Sequence, residues 1–220
     1  MPGLPILFAI VVSLVATQAQ VPRCPPNEMT DAARRAFLNT HNRYRSRLAK
    51  GLESNGNLGF APQAANMQNM KYDCTAESSA LAHARTCSGR LSDPTTRPGF
   101  KENFVEIYKI HLNLAQTARH VSMIRLFAPC LKIMRIPDHL ENPAAIDDQT
   151  SNHTHSQMAW HNNVRLGCGI SRCGGFSFVV CHYGPGGNNI GEYIYSVGAP
   201  CSMCPAGTVC NAVTELCESP

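Results

Sequence analysis

Three histidines lie close together in one short segment, SNHTHSQMAWHNNVRLGCGI, which spans residues 151–170. His153, His155 and His161 carry imidazole nitrogens, which are common ligands of zinc in proteins. A zinc site also needs further ligands that converge on the same point from elsewhere in the chain. The single tryptophan of the chain, Trp160, lies in the same segment, and we expect it to anchor the core.

The N-terminus predicts export from the cell. An apolar run extends from Leu4 to about Ala16, and small residues follow toward Ala19, which is typical of a cleaved secretory signal peptide over residues 1–19. The run is too short and too polar to cross a bilayer, so we expect a secreted, extracellular protein without a transmembrane anchor. The sequon that begins at Asn152 is then a predicted glycosylation site.

Eleven cysteines occur in the 220 residues. In an exported chain this number predicts disulfide bonds, and an odd count leaves one thiol over. The spacing in CSMCPAGTVCNAVTELC is compatible with a zinc knuckle, but the segment contains no histidine. Because thiolates oxidise outside the cell, we expect disulfides there and not a metal site.

Charge and motifs exclude several function classes. The net charge is +4, and the main basic cluster, ARRAFLNTHNRYRSRLAK, follows the period of an amphipathic helix, so we expect no nucleic-acid partner. The chain contains neither a Gly-x-Ser-x-Gly nucleophile elbow nor a His-Glu-x-x-His metal motif. We therefore expect neither catalysis nor a cofactor.

Hydrophobic periodicity predicts an α+β fold. The pattern indicates a first helix from Thr30 to Gly51, a second through 67–87, and a third from Leu112 to about Met134 that is interrupted at Pro129. Strand-like runs are NFVEIYKI, VRLGCGIS and GFSFVVCHYG. Helices would cover both faces of a small antiparallel sheet. The predicted units are a domain over residues 20–198 and a Cys-rich tail over 199–220.

Five segments in order carry a family resemblance: HNRYRSRLAKG, MKYDCTAESSALAHARTC, KENF, HSQMAWHNNVRLGCG and FVVCHYGPGGN. The chain resembles the CAP superfamily (cysteine-rich secretory proteins, antigen 5 and pathogenesis-related 1), within it the nematode venom-allergen-like or ancylostoma-secreted-protein-like branch. The match runs from about Thr30 to Gly191. The resemblance implies an α-β-α sandwich followed by a hinge-like tail.

The resemblance also implies a disulfide pattern that spacing alone leaves open. It pairs Cys168 with Cys181 and Cys87 with Cys173, which leaves Cys24 for Cys74. The hinge-like tail implies two further pairs, Cys201–Cys210 and Cys204–Cys217. Cys130 is then the free thiol, which we expect to be a small buried apolar residue, with an intermolecular disulfide as the alternative.

Relatives of this kind commonly hold zinc in a cleft with two histidines and two glutamates. When these four ligand positions are matched to this chain, Leu91 occupies the first histidine position and Thr154 the second. One glutamate is kept, as Glu102. The second glutamate should lie in MIRLFAPCLKIM, which contains no carboxylate. We predict a degenerate site that binds no metal; the alternative is a site rebuilt from His153, His155 and Glu102.

The resemblance implies binding of small apolar ligands, with sterols at the last hairpin and fatty acids between helices. The corresponding stretch is CGGFSFVVC, and the candidate lipid-binding residues are Cys173, Gly174, Gly175, Phe176, Phe178 and Val180. Alternate residues of any strand face the core, so some of these could be core residues instead. The predicted protein is a secreted, non-enzymatic sterol or lipid binder.

The resemblance to the nematode branch further implies a parasite effector that modulates host immunity. The alternative function is an interaction scaffold that binds a host protein without carrying lipid. We expect a monomer or a weak dimer.

Overall fold

The structure, a computed structural model, describes residues 23–55, 59–124, 157–187, 189 and 192–220. The predicted signal peptide lies outside these ranges, as do the predicted free thiol and the sequon segment with its neighbours, Cys130, Asn152, His153, Thr154 and His155. Within the described ranges, no helix is both long enough and apolar enough to cross a membrane.

The first helix, α1, extends over Asp31–Ala49, close to its predicted bounds. It begins where the Thr30 side chain accepts a hydrogen bond from the backbone N–H of Ala33, which satisfies one of the free donors of the first turn. Its buried face includes Phe37 and Leu48, which contribute to two separate parts of the core. The apolar period of the sequence therefore corresponds to a real buried face.

The second helix, α2, extends over Cys74–Ala84 and is shorter than predicted. The Asp73 side chain accepts a hydrogen bond from Ala76 N and begins the helix there, and the short strand β1, Lys71–Tyr72, precedes it. Met67 is buried in the core before β1. The apolar spacing that begins at Met67 thus reflects core packing of an irregular segment and not an earlier helical turn.

The remaining elements are the other strands of the sheet and a third helix. The strands are β2, Lys101–Ile107; β3, Arg165–Arg172; and β4, Ser177–Gly184; the third helix, α3, is described over Leu114–Ile124. The sheet order is β1-β3-β4-β2. The predicted α+β fold is confirmed, but the sheet is mixed, because β1 pairs with β3 in parallel while the other pairings are antiparallel.

Helices cover both faces of this sheet. Cys168, Val179 and Tyr183 face the cluster that contains the buried residues of α1 and α3. Phe178 and Val180, which alternate with Val179 on β4, pack instead against Ala80 and Ala84 of α2. The layers are therefore α1 and α3, then the sheet, then α2.

Two glycines of β3 let α2 lie against the sheet. A Cβ atom at Gly167 would overlap the backbone at Ala76 and Glu77, and one at Gly169 would overlap the backbone of Leu81. Only hydrogen at these positions permits such a close approach of helix and strand. The last turn of α2 is brought down to the sheet as a result.

Five disulfide bonds have the pairings that the resemblance implies: Cys24–Cys74, Cys87–Cys173, Cys168–Cys181, Cys201–Cys210 and Cys204–Cys217. The tail contains the hairpin of β5, Val209–Asn211, and β6, Leu216–Glu218. Its Cys217 N–H donates to the Met67 carbonyl oxygen, and Leu216 is fully buried in the core cluster that also contains Trp160. The tail is thus held by the main core as well as by its own disulfides.

A buried arginine fixes the segment that precedes β3. Arg45 of α1 is 1% exposed and donates to the carbonyl oxygens of Met158, Trp160 and His161 at 2.7–2.8 Å. Burial lowers the pKa of Arg45 to about 9, although the guanidinium remains charged at neutral pH. Trp160, itself 1% exposed, is held in the core as expected.

The close approach at β3 gives the first prediction. Gly169→Ala should lower the free energy of unfolding by about 2–3 kcal/mol, because helix α2 must move away from the sheet to admit the methyl group. Gly174→Ala is the matched control, since a Cβ atom there meets nothing within 4 Å. Urea unfolding followed by circular dichroism measures both; equal stability of the two variants would contradict the packing described.

Candidate functional site

The candidate site lies where β2, β4 and the last turn of α2 meet. Glu102 and His182 are directly opposite each other in the antiparallel pair β2–β4, so their side chains leave the sheet on the same face. That face is the one covered by α2, and His83 of α2 reaches the same point. Two strands and one helix thus direct three titratable side chains toward each other.

The Glu102 carboxylate is the centre of the cluster. Its Oε2 accepts hydrogen bonds from His83 Nδ1 at 2.9 Å, His182 Nε2 at 2.8 Å and Ser92 Oγ at 2.8 Å. Its Oε1 accepts one from the backbone N–H of Ser92 at 2.7 Å. The residue is only 5% exposed, so these four donors replace the water that the charge has lost.

The hydrogen bonds keep this buried group ionised. Burial alone would raise the pKa of Glu102, but the hydrogen bonds from His182 and Ser92, together with the neighbouring His83 imidazole, hold it below the ordinary value of 4.5. Hydrogen bonds to the ionised form favour that form. Glu102 is therefore a carboxylate at neutral pH.

The two imidazoles have different surroundings. His83 donates from Nδ1 to the carboxylate, and its Nε2 lies 3.0 Å from Ser88 Oγ at the exposed side. His182 is 1% exposed, stacks on Phe100 with ring centroids 6.0 Å apart, and has no hydrogen-bond partner for Nδ1 among the described residues. Only His83 can therefore present a nitrogen to a molecule in solvent.

A cavity of about 480 Å³ opens next to this cluster. Part of its wall is made by small and polar residues of α2 and the following loop, and the lining residues are Ser79, Ala82, His83, Thr86, Ser88, Arg90, Leu91, Ser92, Asp93, Thr96 and His182. A cavity of this volume can accept a small organic molecule.

Among the described residues, the Glu102 cluster does not bring three ligand atoms within 4.8 Å of one another. Within the described part of the chain, the one group of at least three cysteine, histidine or acidic residues with ligand atoms within 4.8 Å of one another is Cys201, Cys204 and Cys217. The sulfur atoms of that group are joined in disulfides and cannot bind zinc. His83 and His182 both direct N–H groups at one carboxylate oxygen, which is the geometry of a hydrogen-bonded cluster.

The predicted site residues separate in the structure. Glu102 lies at the centre of the cleft, and Leu91, at the predicted histidine position, is 47% exposed on the cavity wall, where it offers no ligand atom. Thr154, His153 and His155 lie outside the described residues, so the degenerate tetrad and the rebuilt alternative remain predictions. His161 is not among the hydrogen-bonding partners of Glu102; its backbone carbonyl is bound by Arg45.

The sequence did not predict His83 or His182 as site residues. A signal for His182 was present, because it follows the half-cystine Cys181 on a strand and must face the opposite side of the sheet. The signal for His83 is weaker, since its position depends on how α2 packs over β3. The chemistry of this cleft thus rests on two histidines different from the three that opened the sequence analysis.

Two of the candidate lipid-binding residues, Phe178 and Val180, are core residues in the structure. Phe178 and Val180 are 0% exposed and belong to the core between the sheet and α2, so they cannot contact a ligand without unpacking that layer. Phe176 and Cys173 are half-buried, and Gly174 and Gly175 at the hairpin turn are exposed. Strand alternation fixed which positions face inward, but the depth of burial depended on α2.

Known proteins resemble this chain over most of its length. The model of the cysteine-rich secretory protein family, CAP, matches residues 38–183. The Ancylostoma secreted protein of Ancylostoma caninum is 38% identical over 90% of this chain, which spans only 47% of that relative. Hookworm platelet inhibitor 1 of the same organism is 27% identical, with 94% of this chain and 92% of the relative covered.

Solved structures share the fold. The crystal structure of Na-ASP-1 has a TM-score of 0.78 and 36% identity, and the match covers 90% of this chain and 51% of that one. The crystal structure of NaASP2 with Zn²⁺ has the same TM-score at 33% identity, with 88% of this chain and 99% of that chain covered.

The Glu102 cluster gives the second prediction. Glu102→Gln removes the charge that four donors share, and we expect a loss of about 2–4 kcal/mol in the free energy of unfolding at pH 7. Because the folded pKa of Glu102 lies below the ordinary value, the stabilisation is present above about pH 4.5 and is lost as the pH falls through the folded pKa. The difference between variant and wild type should therefore shrink in acid.

Glu106→Gln is the matched control, since Glu106 lies on the same strand and face but is partly exposed beside the Tyr108 hydroxyl. Thermal unfolding from pH 7 to pH 3 compares the three proteins. A Glu102→Gln variant as stable as the control at pH 7 would contradict the role of the charge.

Proposed function

Because this chain belongs to the cysteine-rich secretory protein (CAP) family, we propose that it is an exported protein that binds a sterol or another small apolar lipid at its β3–β4 hairpin. CAP proteins are generally non-enzymatic, and lipid binding needs no catalytic group. The observation that carries the proposal is an exposed apolar surface at the tip of the sheet.

This surface, the hairpin-tip patch, consists of Tyr108, Ile110 and Phe176. Tyr108 is 68% exposed and Ile110 is 57% exposed, which is high for large apolar side chains. The ring of the half-buried Phe176 lies 5.9 Å from that of Tyr108. Adjacent exposed apolar side chains of this kind are typical of ligand or membrane contact.

Covalent and hydrogen-bonded cross-links join the chain segments around the patch. Cys87–Cys173 ties the base of the hairpin turn to the loop after α2, and Cys168–Cys181 crosses between β3 and β4. Arg172 donates to the Ile110 carbonyl oxygen at 3.1 Å and so joins the end of β3 to the segment after β2. A preformed surface loses little conformational entropy when a ligand binds.

Burial of this patch supplies enough free energy for lipid binding. Covering about 200 Å² of apolar surface at about 25 cal/mol per Å² stabilises a complex by about 5 kcal/mol before the cost of association. A sterol offers a flat apolar face of that size. The interaction involves neither Glu102 nor a metal ion, so the loss of a zinc tetrad would leave it intact.

The proposed setting is outside the cell, in a host. The apolar run before Ala19 supports export, and the relatives include proteins named Venom allergen 5 and Hookworm platelet inhibitor 1. We include in the proposal that the protein acts there as a parasite effector and carries a glycan at Asn152. The first curated relatives are longer, and this chain spans 47% of each of the first two.

Lipid binding at the patch gives the third prediction. Purified protein should bind labelled cholesterol saturably, with palmitate as the comparison ligand, and should do so equally in the presence of a zinc chelator. The double variant Tyr108→Ser and Ile110→Ser should bind about tenfold more weakly, because about 1.4 kcal/mol of apolar contact is lost.

Val213→Ser is the matched control, since Val213 is 81% exposed on the tail, away from the hairpin. If the double variant bound cholesterol as well as the wild type does, the lipid would have to bind at another surface. Absence of saturable binding to the wild-type protein would refute the proposed function, and loss of binding with chelator would show that a metal is required.

A further inference from the structure

The cavity beside α2 contains a serine, a histidine and a carboxylate in series. Ser88 Oγ lies 3.0 Å from His83 Nε2, and His83 Nδ1 lies 2.9 Å from Glu102 Oε2. We propose that Ser88, His83 and Glu102 act as nucleophile, general base and orienting carboxylate in the hydrolysis of small carboxylic esters. This activity is separate from lipid binding and uses none of the residues of the hairpin-tip patch. It departs from the expectation, drawn from sequence motifs, that the chain has no catalytic activity.

The carboxylate fixes the tautomer of the histidine. Glu102 is ionised and accepts only, so the His83 nitrogen that faces it, Nδ1, must carry the proton. In the neutral ring Nε2 is then an acceptor, and it faces the Ser88 hydroxyl. The hydroxyl also lies 3.3 Å from the Arg90 carbonyl oxygen, but its contact with the imidazole is the shorter one.

The other partners of Glu102 hold the carboxylate in place. His182 Nε2 and Ser92 Oγ donate to the same oxygen as His83, and the Ser92 N–H holds the second oxygen. His182 and Ser92 are positioning residues, because they act on His83 through Glu102. The edge-on contact of the His83 ring with Phe178, at 5.4 Å between centroids, further restricts the imidazole.

The nucleophile is accessible to a substrate. Ser88 is exposed and lines the cavity of about 480 Å³. Leu91, half exposed on the same wall, offers an apolar contact for the acyl group.

The reaction needs no reagent other than the ester and water. As Ser88 Oγ bonds to the ester carbonyl carbon, its proton passes to His83 Nε2; the carbon–oxygen bond to the alcohol then breaks, and the alcohol leaves with that proton. Water attacks the acyl-serine and gives a proton to His83 Nε2. The serine oxygen takes this proton as the carboxylic acid is released.

The sequence could not predict this arrangement. His83 and Ser88 are five residues apart, one on a helix and one in the loop after it, and no motif of known spacing contains them. Cys87, between the helix end and Ser88, has a positive φ of 50°, which marks a turn in the chain there, and its disulfide with Cys173 joins this turn to the β3–β4 hairpin.

The fourth prediction tests the nucleophile. The full secreted chain should hydrolyse p-nitrophenyl acetate or butyrate, and a fluorophosphonate probe should label Ser88, as located by peptide mass spectrometry. Ser88→Ala should abolish labelling and lower kcat/KM by about 100-fold, and His83→Gln should lower it to a similar extent, because the base is lost.

Ser78→Ala is the matched control, since Ser78 is exposed on α2 and does not line the cavity. Circular dichroism of Ser88→Ala should match the wild type, because the side chain is on the surface, so loss of activity there cannot reflect misfolding. Labelling that persists in Ser88→Ala, or ester hydrolysis no faster in the wild type than in that variant, would overturn the proposal. Cholesterol binding that survives in Ser88→Ala would show that lipid carriage is independent of this result.

Discussion

The site depends on one constraint, which is that the Glu102 carboxylate is buried and must remain charged. A carboxylate without water is costly unless several donors replace the lost hydration. Here four donors do so, from two histidines and from the side chain and backbone of Ser92. These donors come from α2, β4 and the loop before β2, so satisfying one charge fixes the relative position of three parts of the chain.

The close packing of α2 on β3 brings His83 within hydrogen-bonding distance of Glu102. Gly167 and Gly169 remove the side chains that would hold the helix away from the sheet, and the last turn of α2 then lies above β2 and β4. The Cys87–Cys173 bond holds the chain beyond the helix near the same strands. The same layer buries Phe178 and Val180, so the packing that builds the polar cluster also removes these two residues from any ligand surface.

Local patterns predicted the elements, and tertiary contacts decided the chemistry. The Thr30 cap, the apolar period of α1 and the alternation of β3 and β4 are properties of neighbouring residues, and the structure follows them. The predicted start of α2 was wrong, because the helix begins at the Asp73 cap and not where the apolar spacing begins at Met67. His83 meets Glu102 only after helix and sheet have packed, and no pattern in one sequence encodes that contact.

The central claim is that Glu102 organises His83 and His182 into opposite tautomers within one hydrogen-bonded cluster. Long-range ¹H–¹⁵N NMR spectra of the imidazole rings at neutral pH test it most directly, because they report which ring nitrogen carries the proton in each histidine. The account predicts a proton on Nδ1 of His83 and on Nε2 of His182. A proton on Nε2 of His83, or exchange between both tautomers in either ring, would contradict it.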